Sequence, residues 1–144
     1  MNMLAVLAEV QLFKDWIPMM KESEPLGEVS HLRKLAYLKN NLPWPFTDRE
    51  IFIQACGIVL KEERACILTL SSAEGDSWFG TPIHRDPKCV TFDMHKAFIY
   101  TKAISPNECV LKMIVNADPH LDYIPQKLIN FGMKNVIGVF LRYI

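Results

Sequence analysis

The 144-residue sequence predicts an α+β fold in which a curved antiparallel sheet of about six strands packs against a long C-terminal helix. Three observations predict it. Between residues 31 and 118, apolar side chains recur at a two-residue period in short runs separated by turn-forming residues. On both flanks they recur at three- and four-residue intervals instead. Half of the residues are apolar, enough for one sizeable core, and no composition shift or linker divides residues 1–144 into more than one domain.

The elements follow in order. Leu4, Leu7, Ala8, Leu12, Phe13, Trp16 and Met20 share a helical face, so residues 4–20 are expected to be helical with Pro18 disturbing the last turn. Glu24-Pro25-Leu26-Gly27 holds two breakers and predicts a turn. His31–Asn40, Glu50–Leu60 and Ala65–Ser72 predict strands, with Lys61-Glu62-Glu63-Arg64 as a charged hairpin tip. The stretch Glu74–Lys88 contains Gly75, Gly80, Pro82 and Pro87 and is expected to be largely irregular. Within it, Ser77-Trp78-Phe79-Gly80 is expected to pack back on the sheet or to form an apolar lip. Val90, Phe92 and Met94 alternate with polar residues as one strand, and Ala97–Ile104 is read as its hairpin partner. After a turn at Ser105–Glu108, Cys109, Leu111, Met113, Val115 and Ala117 fall on one face of a last strand. A final helix is expected to begin near Ile124 or Pro125, since proline is tolerated in a first turn.

Between the first two of these strands lies Asn41-Leu42-Pro43-Trp44-Pro45-Phe46. Two prolines fix φ on either side of the tryptophan and remove two backbone donors, which predicts a rigid extended corner. An indole on so stiff a support is expected to be packed. The adjoining Asp48-Arg49-Glu50 places a guanidinium where burial would require carboxylate or carbonyl partners.

Composition narrows the function. Sixteen basic and sixteen acidic side chains cancel, against a nucleic-acid protein that neutralises many phosphates. No apolar run approaches the roughly twenty residues that cross a bilayer, and the N-terminal stretch lacks the basic leader of a secretory signal. Cys56, Cys66, Cys89 and Cys109 form no Cys-x-x-Cys pair and are expected to be buried free thiols in a reducing, cytoplasmic setting. His84, His95 and His120 show no metal-ligand spacing, no serine sits in a nucleophile elbow, and no glycine-rich phosphate loop occurs, so neither a metal, a cofactor nor a catalytic residue is expected.

At 100° per residue, Leu128, Ile129, Met133, Val136, Val139, Phe140 and Tyr143 share one arc of the closing helix, the face for a sheet or a ligand. Lys127, Lys134 and Arg142 lie opposite, with Phe131 and Leu141 among them and no acidic residue after Ile124. Cations beside apolar side chains suit an interfacial helix, so these five residues are expected to contact a membrane.

Read together, the corner and its surroundings resemble the START domains, the lipid-transfer domains related to the steroidogenic acute regulatory protein. Pro43-Trp44-Pro45 and Arg49 match the family's corner, with Glu50 where aspartate is usual. Phe13-Lys14-Asp15-Trp16 is similar to the preceding helix, Val115-Asn116-Ala117-Asp118-Pro119 to the end of the last strand, and Ile124–Asn130 to the start of the closing helix. The resemblance implies a helix-grip fold, with the sheet wrapped around the C-terminal helix and an apolar tunnel between them. It implies a carrier or sensor of a lipid or sterol-like ligand in the cytoplasm, transiently at membranes, and not an enzyme. Leu111, Met113, Val115, Ile129, Met133, Val136 and Phe140 are then expected to line the cavity, with Tyr100 and Arg49 as polar contacts; Tyr37 and His95 are further polar candidates. The alternative is a hydrolase or cyclase for an apolar substrate on the same scaffold, and a groove for a partner helix is a third reading. Family members open with a helix and a three-stranded meander, for which there is no room before Leu4; the domain is thus expected to lack its N-terminal portion and to pair with a second copy through an exposed sheet edge.

Overall fold

The structure, a computed structural model, describes residues 7–42, 44, 46–118 and 120. After helical residues Leu7 and Ala8 comes a 3-10 turn, Val10–Leu12, and then a single helical turn, α1, Phe13–Trp16. The helix stops earlier than its periodicity predicts because Ile17 precedes Pro18, and the proline ring pushes that residue into the extended region, at ψ 122°. Met20, read as helical, already belongs to a strand.

The strands are β1 Met20–Ser30, β2 Arg33–Asn40, β3 Arg49–Leu60, β4 Ala65–Ser72, β5 Ser77–Trp78, β6 Thr81–Pro82, β7 Val90–Thr91, β8 Asp93–Ser105 and β9 Glu108–Asp118. The main sheet runs β1-β2-β3-β4-β8-β9, antiparallel throughout, and β7 adds a short parallel pairing to β3. No helix among the described residues is long and apolar enough to cross a membrane.

Two elements differ from their sequence expectation for identifiable reasons. Glu24–Gly27 is not a turn but the middle of β1. That strand is an edge, and its pairing to β2 shifts register between Pro25 and Gly27, which accommodates a residue without a backbone donor. Val90–Met94 and Ala97–Ile104 are not hairpin partners. A register shift at Met94/Lys96 carries the chain on as one strand, and β8 pairs with β4 and β9 instead.

Two clusters form the core. On one face of the sheet, Val10 covers Ala36, Leu38, Ile51 and Ile53, with Phe13, Phe92 and Met94 alongside. On the other, Trp78, Ile83 and Ala73 from the segment after β4 close over Leu35 and Phe52. Trp78 sits close to Gly27, where a Cβ would approach Thr81 Oγ1 to 2.9 Å, so a larger residue at this bulge of β1 would have to displace the Thr81 side chain.

The indole of Trp44 is 93% exposed, not packed. Pairing of β2 with β3 ends at Asn40–Arg49, so the corner projects past the ladder instead of lying over it. Of the four cysteines, all free, Cys66 alone is buried and Cys109 is exposed. Trp44→Ala should therefore change unfolding free energy by less than about 0.5 kcal/mol. Ile51→Ala should cost about 2–5 kcal/mol in the same denaturant titration.

Candidate functional site

Side-chain parity divides the sheet into two chemically different faces. In register, Ile53 opposes Ser72, Ala55 opposes Leu70, Leu70 opposes Ala97, and Ala97 opposes Val115; one step along, Leu68 opposes Ile99 and Ile99 opposes Met113. Partners in a ladder share a face. This first face is therefore apolar from β2 to β9. Its β2–β3 end lies under Val10, whereas Met113 and Val115 at its β9 end are about half exposed.

The opposite face carries the buried carboxylate Glu50 and its partners. Glu50 has no solvent exposure, and its carboxylate accepts hydrogen bonds from the Tyr37 hydroxyl at 3.3 Å, the Thr91 hydroxyl at 3.2 Å and the Asp86 backbone amide at 3.1 and 3.2 Å. All three partners are donors, so the carboxylate is satisfied as an acceptor. Lys39, directly across from Glu50 in register, extends to Asp86 at 3.0 Å and Glu22 at 3.7 Å. Desolvation, reinforced by Glu50, raises the Tyr37 phenol well above its ordinary range. The hydrogen bond to Asp86 keeps the Lys39 ammonium charged beyond its usual range. The Lys88 backbone amide, at 2.9 Å, and then Lys39 hold the Asp86 carboxyl down at about 2. Desolvation pushes the nearby Cys89 thiol up.

Beside this network, Trp78 Nε1 donates to Gln54 Oε1 at 3.2 Å and anchors the small hairpin of β5 and β6. Its turn residues Phe79 and Gly80 both have positive φ, 45° and 84°, the requirement of a tight two-residue hairpin. Trp78 packs inward while Phe79 faces solvent, with Arg33 5.3 Å from its ring centre.

Known structures share the fold. Superposition covers 97% of the chain on a STAR-related lipid transfer protein from Xanthomonas axonopodis, at 17% identity and TM-score 0.72, and 97% on human STARD10, at 16% identity and TM-score 0.71. Human StAR-related lipid transfer protein 5 matches over 90% at 11% identity and TM-score 0.74. The chain has a START-like fold. It spans 73%, 57% and 60% of those three chains, respectively. No family model and no curated protein matches the sequence.

Within the START-like fold, the sequence-predicted contacts separate. Leu111, Met113 and Val115 share the apolar face, as their alternation in β9 predicts. Arg49 stands on the same face by parity with Ile51; it is buried and donates to the carbonyls of Thr47 at 2.7 Å and His120 at 3.2 Å, the kind of partner its burial requires. Tyr100 pairs with Lys112 on the opposite face, so the sheet does not bring it together with Met113. Tyr37 likewise belongs to the Glu50 network, and His95 is exposed at the β8 irregularity. Ile129, Met133, Val136, Phe140, Lys127, Phe131, Lys134, Leu141 and Arg142 lie outside the described residues.

A cleft of about 550 Å³, unmarked by any sequence motif, opens where the β3–β4 and β8–β9 hairpin tips meet. Val59, Thr101, Ala103 and Cys109 extend the apolar face into it, and Lys61, Arg64 and Glu108 lie on its wall. Arg64 is tied across by Ala103 N donating to its carbonyl at 3.0 Å. Among the described residues, no sequence-predicted contact residue lines this cleft.

The depressed Asp86 carboxyl sets an acid response. Its folded value lies below the ordinary 3.8, so its stabilising contribution is complete above that range and fades as pH falls toward about 2. Asp86→Asn should lower Tm at neutral pH and flatten the loss of Tm between about pH 5 and pH 2 in a thermal melt series.

Proposed function

We propose that the protein binds a lipid or other hydrophobic ligand against the apolar face of its sheet, with the C-terminal segment, read in sequence as a helix, closing the cavity. The observation that carries this reading is the continuous apolar face whose β9 end leaves Met113 and Val115 half exposed. Such a surface gains roughly 0.8 kcal/mol for each CH₂ group it removes from water. The solved relatives named as lipid-transfer proteins support it by analogy of fold. Tyr37, Lys39 and Asp86, with shifted proton affinity, converge on the opposite face, and the Cys66 thiol on the apolar face is pushed up by burial and so disfavoured as a nucleophile, which favours a carrier over a hydrolase or cyclase.

On this reading Leu111, Met113 and Val115 meet the ligand together with Ile129, Met133, Val136 and Phe140. Arg49 holds the end of the corner by its carbonyl contacts. The protein works in the cytoplasm and visits membranes to exchange or sense its cargo, with Lys127, Phe131, Lys134, Leu141 and Arg142 at the membrane. A second copy would pair along β9 and not along β1, whose edge is broken by Pro25, three register shifts and charged side chains.

Native mass spectrometry of the full chain, purified without detergent, should reveal a co-purifying lipid of defined mass, and Val115→Glu should remove it without lowering Tm. An empty wild-type protein that also fails to extract labelled lipid from vesicles would refute the reading.

A further inference from the structure

We propose that the outer face of β3, β4, β8 and β9, turned away from the apolar ligand face, is a docking surface for an anionic lipid membrane. The register lays out its side chains in rows. Cys56, Thr69, Phe98 and Ile114 form one; Ile58, Ile67, Tyr100 and Lys112 the next; Leu60, Ala65, Lys102 and Val110 the third. Arg33 extends the first row from β2, and Lys96, paired with Asn116, stands one step beyond it on the same face. The patch measures roughly 14 by 20 Å at ordinary strand and residue spacings, room for several headgroups.

Two properties of the patch point to a membrane. Arg33, Lys96, Lys102 and Lys112 are set among these rows, and on β9 acidic side chains stand only past their ends, at Glu108 and Asp118, although the chain as a whole carries no net charge. Between the cations, Ile114 is 71% exposed and Ile58 and Phe98 about half exposed. Lysines around exposed apolar side chains are the chemistry by which a surface enters a headgroup layer. A hollow of about 190 Å³ lies between Arg33 and Lys96 with Ser71 on its wall; these three offer hydrogen-bond donors to a headgroup phosphate, while the Thr69 hydroxyl beside them is already donated to the Cys56 carbonyl.

Other occupants fit less well. A second copy would bring four cations against four. A single-stranded nucleic acid would need a run of exposed rings for its bases, but the rows hold only Phe98 and Tyr100, and the most exposed apolar side chain of the patch is Ile114. The surface lies on the opposite side of the sheet from the ligand face, so the proposal stands apart from the identity or presence of a cargo.

Flotation of the full chain with phosphatidylcholine vesicles, with and without phosphatidylserine, tests it. Wild type should float with the anionic vesicles alone, and added salt should weaken binding. Lys96→Glu/Lys112→Glu should reduce partitioning about a thousandfold, since each lysine near an anionic surface contributes about 1 kcal/mol and reversal removes and then opposes it. Phe98→Ser/Ile114→Ser should weaken the binding that persists at high salt. Both pairs are at exposed positions, and their thermal melts should match wild type. Wild-type partitioning by Lys96→Glu/Lys112→Glu overturns the proposal, as does loss of binding confined to Lys127→Glu/Lys134→Glu, or binding to single-stranded RNA without binding to vesicles. Cargo retention, read by native mass spectrometry, should be unchanged in both sheet variants.

Discussion

A carboxylate removed from water must find donors, and Glu50 takes its three from β2 and from the segment that follows β6. Tyr37 reaches it across the β2–β3 ladder, and the Asp86 amide and Thr91 hydroxyl descend on it from above. Those contacts pin the connection between β4 and β8 to one face of the sheet. They also bring Val90 and Thr91 beside Arg49 and Glu50, where Val90 N donates to Asp48 O and Phe92 N to Glu50 O. Removing Glu50 would leave a phenol, a hydroxyl and an amide competing for no acceptor, so the loop and the sheet are specified together.

That arrangement segregates chemistry. Tyr37, Lys39 and Asp86 gather on the covered half of one face, while the other face keeps an apolar run from Ala36 to Val115, its Cys66 thiol held neutral by burial. An apolar strand edge left half exposed in water gains by being covered, and a hydrophobic ligand supplies that cover without a polar partner. The same segregation leaves the uncovered half of the outer face to lysines and isolated apolar side chains.

Local chemistry made much of this legible. The Ala65–Ser72 strand, the charged hairpin tip before it and the one-sided apolar alternation of β9 all follow from period-two patterning and turn residues, and the observed strands agree. Elements that depend on their place in the sheet were not legible. Pro25 and Gly27 break a central strand but are tolerated in an edge strand at a register shift, a distinction that needs the sheet order. The packed indole expected at Trp44 required knowing that the ladder stops at Asn40–Arg49. The Glu50 network joins residues up to 41 apart, and nothing in the spacing of Asp86 and Thr91 announces it. Of the candidate site, the parity of Leu111, Met113 and Val115 was readable, whereas the assignment of Tyr100 to the other face followed only from the pairing of β4 with β8 and β9.

The central claim, that a hydrophobic ligand lies on one face of the sheet only, is tested most directly by photocrosslinking. A phospholipid with a diazirine midway along its acyl chain would be loaded from vesicles, and the complex separated from them before irradiation and peptide mapping. Crosslinks at Leu111, Met113 and Val115, every second residue of β9, are the predicted result. Crosslinks at Val110, Lys112 and Ile114 would place the ligand on the opposite face and contradict the account.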